Sequence, residues 1–93
     1  MPLSFEWDET KAASNLAKHQ VSFADATTIF GDTTSRTIPD PDHSQNEKRW
    51  ITLGRSYWGK LLVVAHTDRG DNIRVISARA ASRKERLQYE KNI

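Results

Sequence analysis

Ninety-three residues suffice for one domain, here 1–93, and a chain this short closes only a modest core. The absence of cysteine excludes disulfides and thiolate metal sites. The net charge of +2 hides an asymmetry: residues 1–47 carry three Lys/Arg against eight Asp/Glu, residues 48–93 eleven against four.

Phe5-Glu6-Trp7 opens the chain as a short aromatic segment suited to an edge strand. Asp8 then caps a helix running to about His19, with Ala12, Ala13 and Leu16 as its narrow apolar stripe. Ser22 and Asp25 approximate a capping box for a second helix, whose apolar face is Phe23, Ala26, Ile29 and Phe30. Gly31 sits where a left-handed residue would end it.

Beyond Gly31 the period changes. Thr33 to Ile38 is rich in β-branched residues and is stopped by Pro39, and Pro39 to Ser44 reads as a turn-rich loop. Arg49 to Arg55 alternates, with Arg49, Ile51, Leu53 and Arg55 on one side and Trp50 and Thr52 on the other. Lys60 to Thr67 is a strongly apolar, central strand. In the last strand, Ile73, Val75 and Ser77 face one way and Arg74, Ile76 and Ala78 the other. Ser82 and Glu85 form a capping box for a C-terminal helix. The expected architecture is α+β: a short N-terminal strand, two helices, an antiparallel sheet of three to four strands and a final helix. With helices on one face, the other face of the sheet would be free for a ligand.

The longest apolar stretch, Leu61 to Ala65, is far shorter than the ~20 residues a membrane span requires. Met1-Pro2-Leu3-Ser4 lacks the features of a signal peptide, so a cytoplasmic location is expected, without a membrane partner. The basic C-terminal half suits a polyanion, unless folding interleaves the two halves so that they neutralise each other.

Strings along nearly the whole chain resemble the BrnT toxin family. They are Phe5-Glu6-Trp7-Asp8 with Lys11, Asn15, Lys18-His19 and Val21-Ser22-Phe23, then Ala26, Phe30 and Asp32. The loop Asp40 to Ser44 follows with Glu47 and Arg49, then Gly54-Arg55-Ser56, Ile76-Ser77-Ala78-Arg79, Glu85 and Tyr89. One departure is Gln20, where the family pattern usually has Gly after the histidine. The resemblance implies a type II toxin with a RelE-like ribonuclease fold that cleaves RNA and stops growth. It also implies a BrnA-like, DNA-binding antitoxin as partner in a hetero-oligomer, which reaches operator DNA only through that antitoxin.

Metal-free RNA cleavage needs a base for the ribose 2′-hydroxyl, cations for the phosphorane-like transition state and an acid for the leaving 5′-oxygen. Arg79, at the end of the last strand beside the capped helix, is the first choice of cation; otherwise it ties strand to helix through an acidic partner. Arg55 lies at a strand end and Arg69 in a hairpin turn, where it joins the site or is only a solvated turn residue; the two need not share an edge. Arg83 and Arg86 share a helix face that can track the RNA backbone, and Trp50 can stack on a base or serve as a core contact. His66 and His43 are the acid–base candidates, the first against a buried structural role, the second in an exposed loop. Asp40, Asp42, His43 and Glu47 include metal-ligand types, but their spacing matches no metal loop, so no metal or other cofactor is expected. The remaining readings are a non-enzymatic co-repressor or a nucleic-acid-binding module.

Overall fold

The structure, a computed structural model, describes residues 3–44 and 46–91. In chain order it contains β1 (Ser4–Glu6), α1 (Glu9–His19), α2 (Phe23–Thr27), a single 3-10 turn (Thr28–Gly31) and β2 (Arg36–Pro39). A second 3-10 turn (Pro41–His43) leads to β3 (Arg49–Arg55), β4 (Leu61–Arg69), β5 (Asn72–Ala80) and α3 (Arg83–Lys91). The α+β architecture agrees with the sequence reading: four antiparallel strands, joined by the short N-terminal strand as a fifth. The strand order is β1-β5-β4-β3-β2, with β1 parallel to β5 and every other pair antiparallel. Among the described residues, no helix is long and apolar enough to cross a membrane.

The helix starts follow the capping rules. Asp8 accepts the Lys11 N–H at 3.0 Å, and Ser22 Oγ accepts the Asp25 N–H at 3.0 Å. The inner face of α1 differs from the expected Ala12-Ala13-Leu16 stripe. Leu16 is exposed and Asn15 is buried. Asn15 donates to the Val21 and Ala78 carbonyls, both at 2.9 Å, and its Oδ1 accepts the Ala78 N–H at 3.1 Å. The side chain therefore serves Ala78 as a neighbouring strand would, beyond the end of the short β1, and satisfies its own buried amide. The left-handed residue is Gln20, at φ 56°, and Gly31 is not one. The expected strand from Thr33 begins only at Arg36, because the Asp32 carboxylate takes the Thr34 N–H at 2.9 Å and its hydroxyl at 2.8 Å, forming a turn. Pro39 ends inside β2, where an edge strand tolerates its missing N–H.

The core lies between the sheet and the first two helices: Val21, Phe23, Ala26 and Ile29 pack on Leu62, Val64, Val75 and Ala78. Gly54 lets Ile29 approach, since a Cβ there would sit 3.1 Å from the Ile29 Cβ. Val75 and Ala78 both reach this core although they are three positions apart, an odd spacing that strict alternation would put on opposite faces. The β4–β5 register shifts between Ala65↔Ser77 and His66↔Val75, leaving Ile76 as an extra residue. This bulge corrects the strict alternation expected for β5. The opposite face is not bare either: α3 folds back over one end of it, against β3.

Candidate active-site groove

The loop between β2 and β3 is stitched to the first residue of β3. Asp40 N–H donates to the Arg49 carbonyl at 2.9 Å, Arg49 N–H donates to Ser44 Oγ at 2.9 Å, and that hydroxyl donates to the Asp40 carbonyl at 2.6 Å. The closed ring holds the His43 turn against the strand. Register does the rest. Ile51 lies opposite Ala65, Val63 opposite Arg79 and Ala65 opposite Ser77, so one row of the face opposite the core runs across three strands. With Ile76 and Ser77 both on this side, the result is a hollow of about 230 Å³ lined by Asp40, His43, Arg49, Ile51, Val63, Ala65, Ile76, Ser77 and Arg79.

Two more hollows adjoin it. One of about 490 Å³ shares His43 and Arg49 and adds Asp42, Asn46, Glu47 and Arg69. The other, about 200 Å³, shares Ile51 and Val63 and adds Arg36, Ile38, Leu53, Glu85 and Gln88. Together they form a groove from the β4–β5 turn to α3, apolar at its floor and charged at its rims.

His43 is an exposed titratable group of this groove, with 65% of its side chain accessible, whereas Asp40 is 13% accessible. His43 Nδ1 lies 2.9 Å from Asp40 Oδ2. A carboxylate accepts, so Nδ1 is the donor in this contact, and Nε2 is the nitrogen left to act as a base whenever the ring is neutral. This is the arrangement in which a third group orients a catalytic base. Arg79 donates through Nη1 and Nη2 to the two Glu85 oxygens at 2.8 and 2.9 Å. The Arg79 hydrogen bond is the main reason that the Glu85 carboxyl is held down at about 2, and Glu85 in turn keeps the guanidinium charged. Arg79 thus ties strand to helix while also lining the groove. Arg69 lies at the far rim, 3.8 Å from Glu47.

The other sequence candidates lie elsewhere. His66 is 5% exposed on the helix-covered face, where its Nε2 meets Thr52 Oγ1 at 2.7 Å and Phe30 packs edge-on against the ring. Burial lowers its pKa, partly offset by Asp68. Trp50 stands across from His66 on the same face, with Lys48 Nζ 5.3 Å from its ring centroid. Arg55 occupies a separate hollow of about 360 Å³ with Thr28, Gly31, Asp32, Ser56 and Tyr57. Its Nη1 donates to the Gly59 carbonyl at 2.9 Å and its guanidinium lies 5.4 Å from the Tyr89 ring centroid. Arg83 and Arg86 are exposed on α3 and line none of the groove's three hollows.

Two features were not assigned a role from sequence. Arg49 read as one side of an alternating strand and as part of the family resemblance, without a role in the chemistry, yet it lines two of the three hollows. Asp32 is a structural hub: one oxygen accepts the Arg55 N–H at 2.8 Å and the Tyr89 hydroxyl at 2.7 Å. Burial opposes its charge, but these bonds and those from Thr34 hold the carboxyl at about 2. Charge interleaving is partial. Glu6–Arg74 and Glu47–Arg69 join the acidic and basic halves, whereas Arg79–Glu85 lies within the basic one.

A family model described as the ribonuclease toxin BrnT of type II toxin–antitoxin systems matches residues 7–85, which include every residue of the central hollow. No curated protein matches by sequence. Among solved structures, the 1.1 Å crystal structure of the Brucella abortus ribonuclease toxin BrnT is similar, with a TM-score of 0.69 and 26% identity. The alignment covers 88% of this chain and 100% of that one. Sequence and fold therefore agree, and the chain belongs to the BrnT family of ribonuclease toxins of type II toxin–antitoxin systems.

Proposed function

We propose that this toxin is a metal-independent endoribonuclease whose reaction takes place in the groove between His43 and Arg79. The observation that carries the reading is the Asp40-oriented imidazole of His43, which shares one hollow with Arg79. His43 Nε2 takes the proton of a ribose 2′-hydroxyl, and the 2′-oxygen attacks the adjacent phosphorus. The bond from phosphorus to the 5′-oxygen breaks, and that oxygen takes a proton from water. The products carry a 2′,3′-cyclic phosphate and a 5′-hydroxyl, and the base afterwards returns its proton to solvent. Arginine at the rim supplies charge to the developing phosphorane oxygens.

Arg69 extends the charged rim. Arg55, Arg83 and Arg86 lie outside the groove and take at most a part in backbone tracking; His66 and Trp50, on the covered face, take structural roles. The partner is a BrnA-like, DNA-binding antitoxin that covers the groove in the cytoplasm and carries the toxin to operator DNA, and release from it arrests growth.

The test is incubation of purified chain with single-stranded RNA in EDTA, with and without added Mg²⁺. Cleavage in EDTA leaving cyclic phosphate ends, and its loss in His43→Ala, is expected. Intact RNA under both conditions would leave a nucleic-acid-binding or co-repressor module in its place.

A further inference from the structure

The four arginines lining the groove are not equivalent. Both terminal nitrogens of Arg79 are occupied by Glu85, and Arg69 faces Glu47. Arg49 has neither kind of partner: among the described residues its guanidinium makes no hydrogen bond or ion pair, and its Nε is shut off from solvent. Its backbone is nonetheless fixed at both N–H and C=O by the Asp40–Ser44 turn. A buried donor without a protein acceptor is unfavourable, and such groups are uncommon in folded proteins. Arg36, the other unpaired arginine lining the groove, is exposed on the edge strand and shares no hollow with His43.

We propose that Arg49 is the cation that holds the scissile phosphate. It lines both hollows that His43 lines, so a phosphodiester bound there brings its ribose to the base. A phosphate bound to Arg49 displaces no carboxylate, whereas one bound by both terminal nitrogens of Arg79 must first separate them from Glu85. The planar fork of Arg49 presents two donors to two phosphate oxygens, a geometry that lysine lacks. This assignment rests on the ribonuclease reading.

The test uses a fluorescent single-stranded RNA with 2′-O-methyl riboses, which binds without being cut, together with a cleavable counterpart. Anisotropy is measured across a salt series for the full chain, Arg49→Ala and Arg49→Lys. Loss of one phosphate contact lowers the slope of log affinity against log salt by about 0.7 for a single strand. We expect that change in Arg49→Ala, with affinity reduced about tenfold at low salt and an unchanged melting temperature. Arg49→Lys should keep the slope but recover little cleavage. If Arg49→Ala unfolds at the assay temperature, Arg49→Met, which keeps the packed stem, replaces it. Wild-type slope and cleavage in the alanine or methionine variant overturn the assignment while the ribonuclease reading stands. A wild-type chain that neither binds nor cuts RNA removes both.

Discussion

Both carboxylate oxygens of Glu85 meet the terminal nitrogens of Arg79, and one of them also accepts the Ser82 N–H at 2.8 Å. Ser82 Oγ accepts the Glu85 N–H at 3.2 Å, completing a reciprocal cap. One acidic side chain thereby starts α3 and fastens it to the end of β5. The wall of the groove next to Arg79 depends on this junction.

The junction should fail in acid. Glu85 is held at about 2 against an ordinary 4.5. A depressed folded-state pKa contributes stability that is complete above the unfolded value and is lost as pH falls through the folded one. The melting temperature should therefore decline between pH 4.5 and about 2. Asp32, lowered from 3.8 to about 2, adds to the decline over an overlapping range. In Glu85→Gln the decline should be shallower, with the shares of Asp32, Glu6 and Asp8, whose carboxyls are also lowered by hydrogen bonds, left. An identical acid profile in the variant would contradict the assignment.

Tyr89 is the opposite anchor of α3. Its hydroxyl meets Asp32 Oδ2 at 2.7 Å and Thr34 Oγ1 at 2.6 Å, and its side chain is buried. Tyr89→Phe keeps the ring against Arg55 but leaves the carboxylate short of a donor. Urea unfolding should report a loss of about 1–3 kcal/mol. Stability equal to wild type would mean that Asp32 is satisfied without the tyrosine.

Gln20 closes α1 in the left-handed region at φ 56°, where a side chain is strained and glycine is not. Its Nε2 donates to the Ala17 carbonyl at 3.2 Å, an exposed bond of little weight. Gln20→Gly should therefore raise stability by about 1 kcal/mol, read as a higher melting temperature. A lower melting temperature would show that the side-chain bond outweighs the backbone strain.

The local signals were legible in the sequence. Asp8, Ser22 and Ser82 cap the helices they were expected to cap, because a capping bond spans three residues and needs nothing distant. The apolar run of β4 likewise announced a central strand. What escaped depends on register. Asn15 reads as a polar interruption of α1 until Ala78 is brought beside it, 63 positions away. The Ile76 bulge breaks the period-two rule that was applied to β5. Arg49 gains its place only when the 40–44 turn, β4 and β5 converge on it. His66 and His43 were both acid–base candidates; the pleat of β4 turns His66 to the covered face, and the Asp40–Ser44 turn sets His43 over the other.

Ile76 has a consequence for how this chain tolerates insertions and deletions. The residue acts as a phase shifter between two reading frames of one strand: upstream, Val75 is seated in the core, and downstream, Ala78 is seated there while Arg79 faces the groove. Deleting Ile76 would leave both frames in place, because Ser77 would then follow Val75 in strict alternation, still opposite Ala65 beside His66. The extra residue thus widens what β5 presents to the groove without changing what either frame buries, and its loss would be felt at the hollow's wall and not in the core.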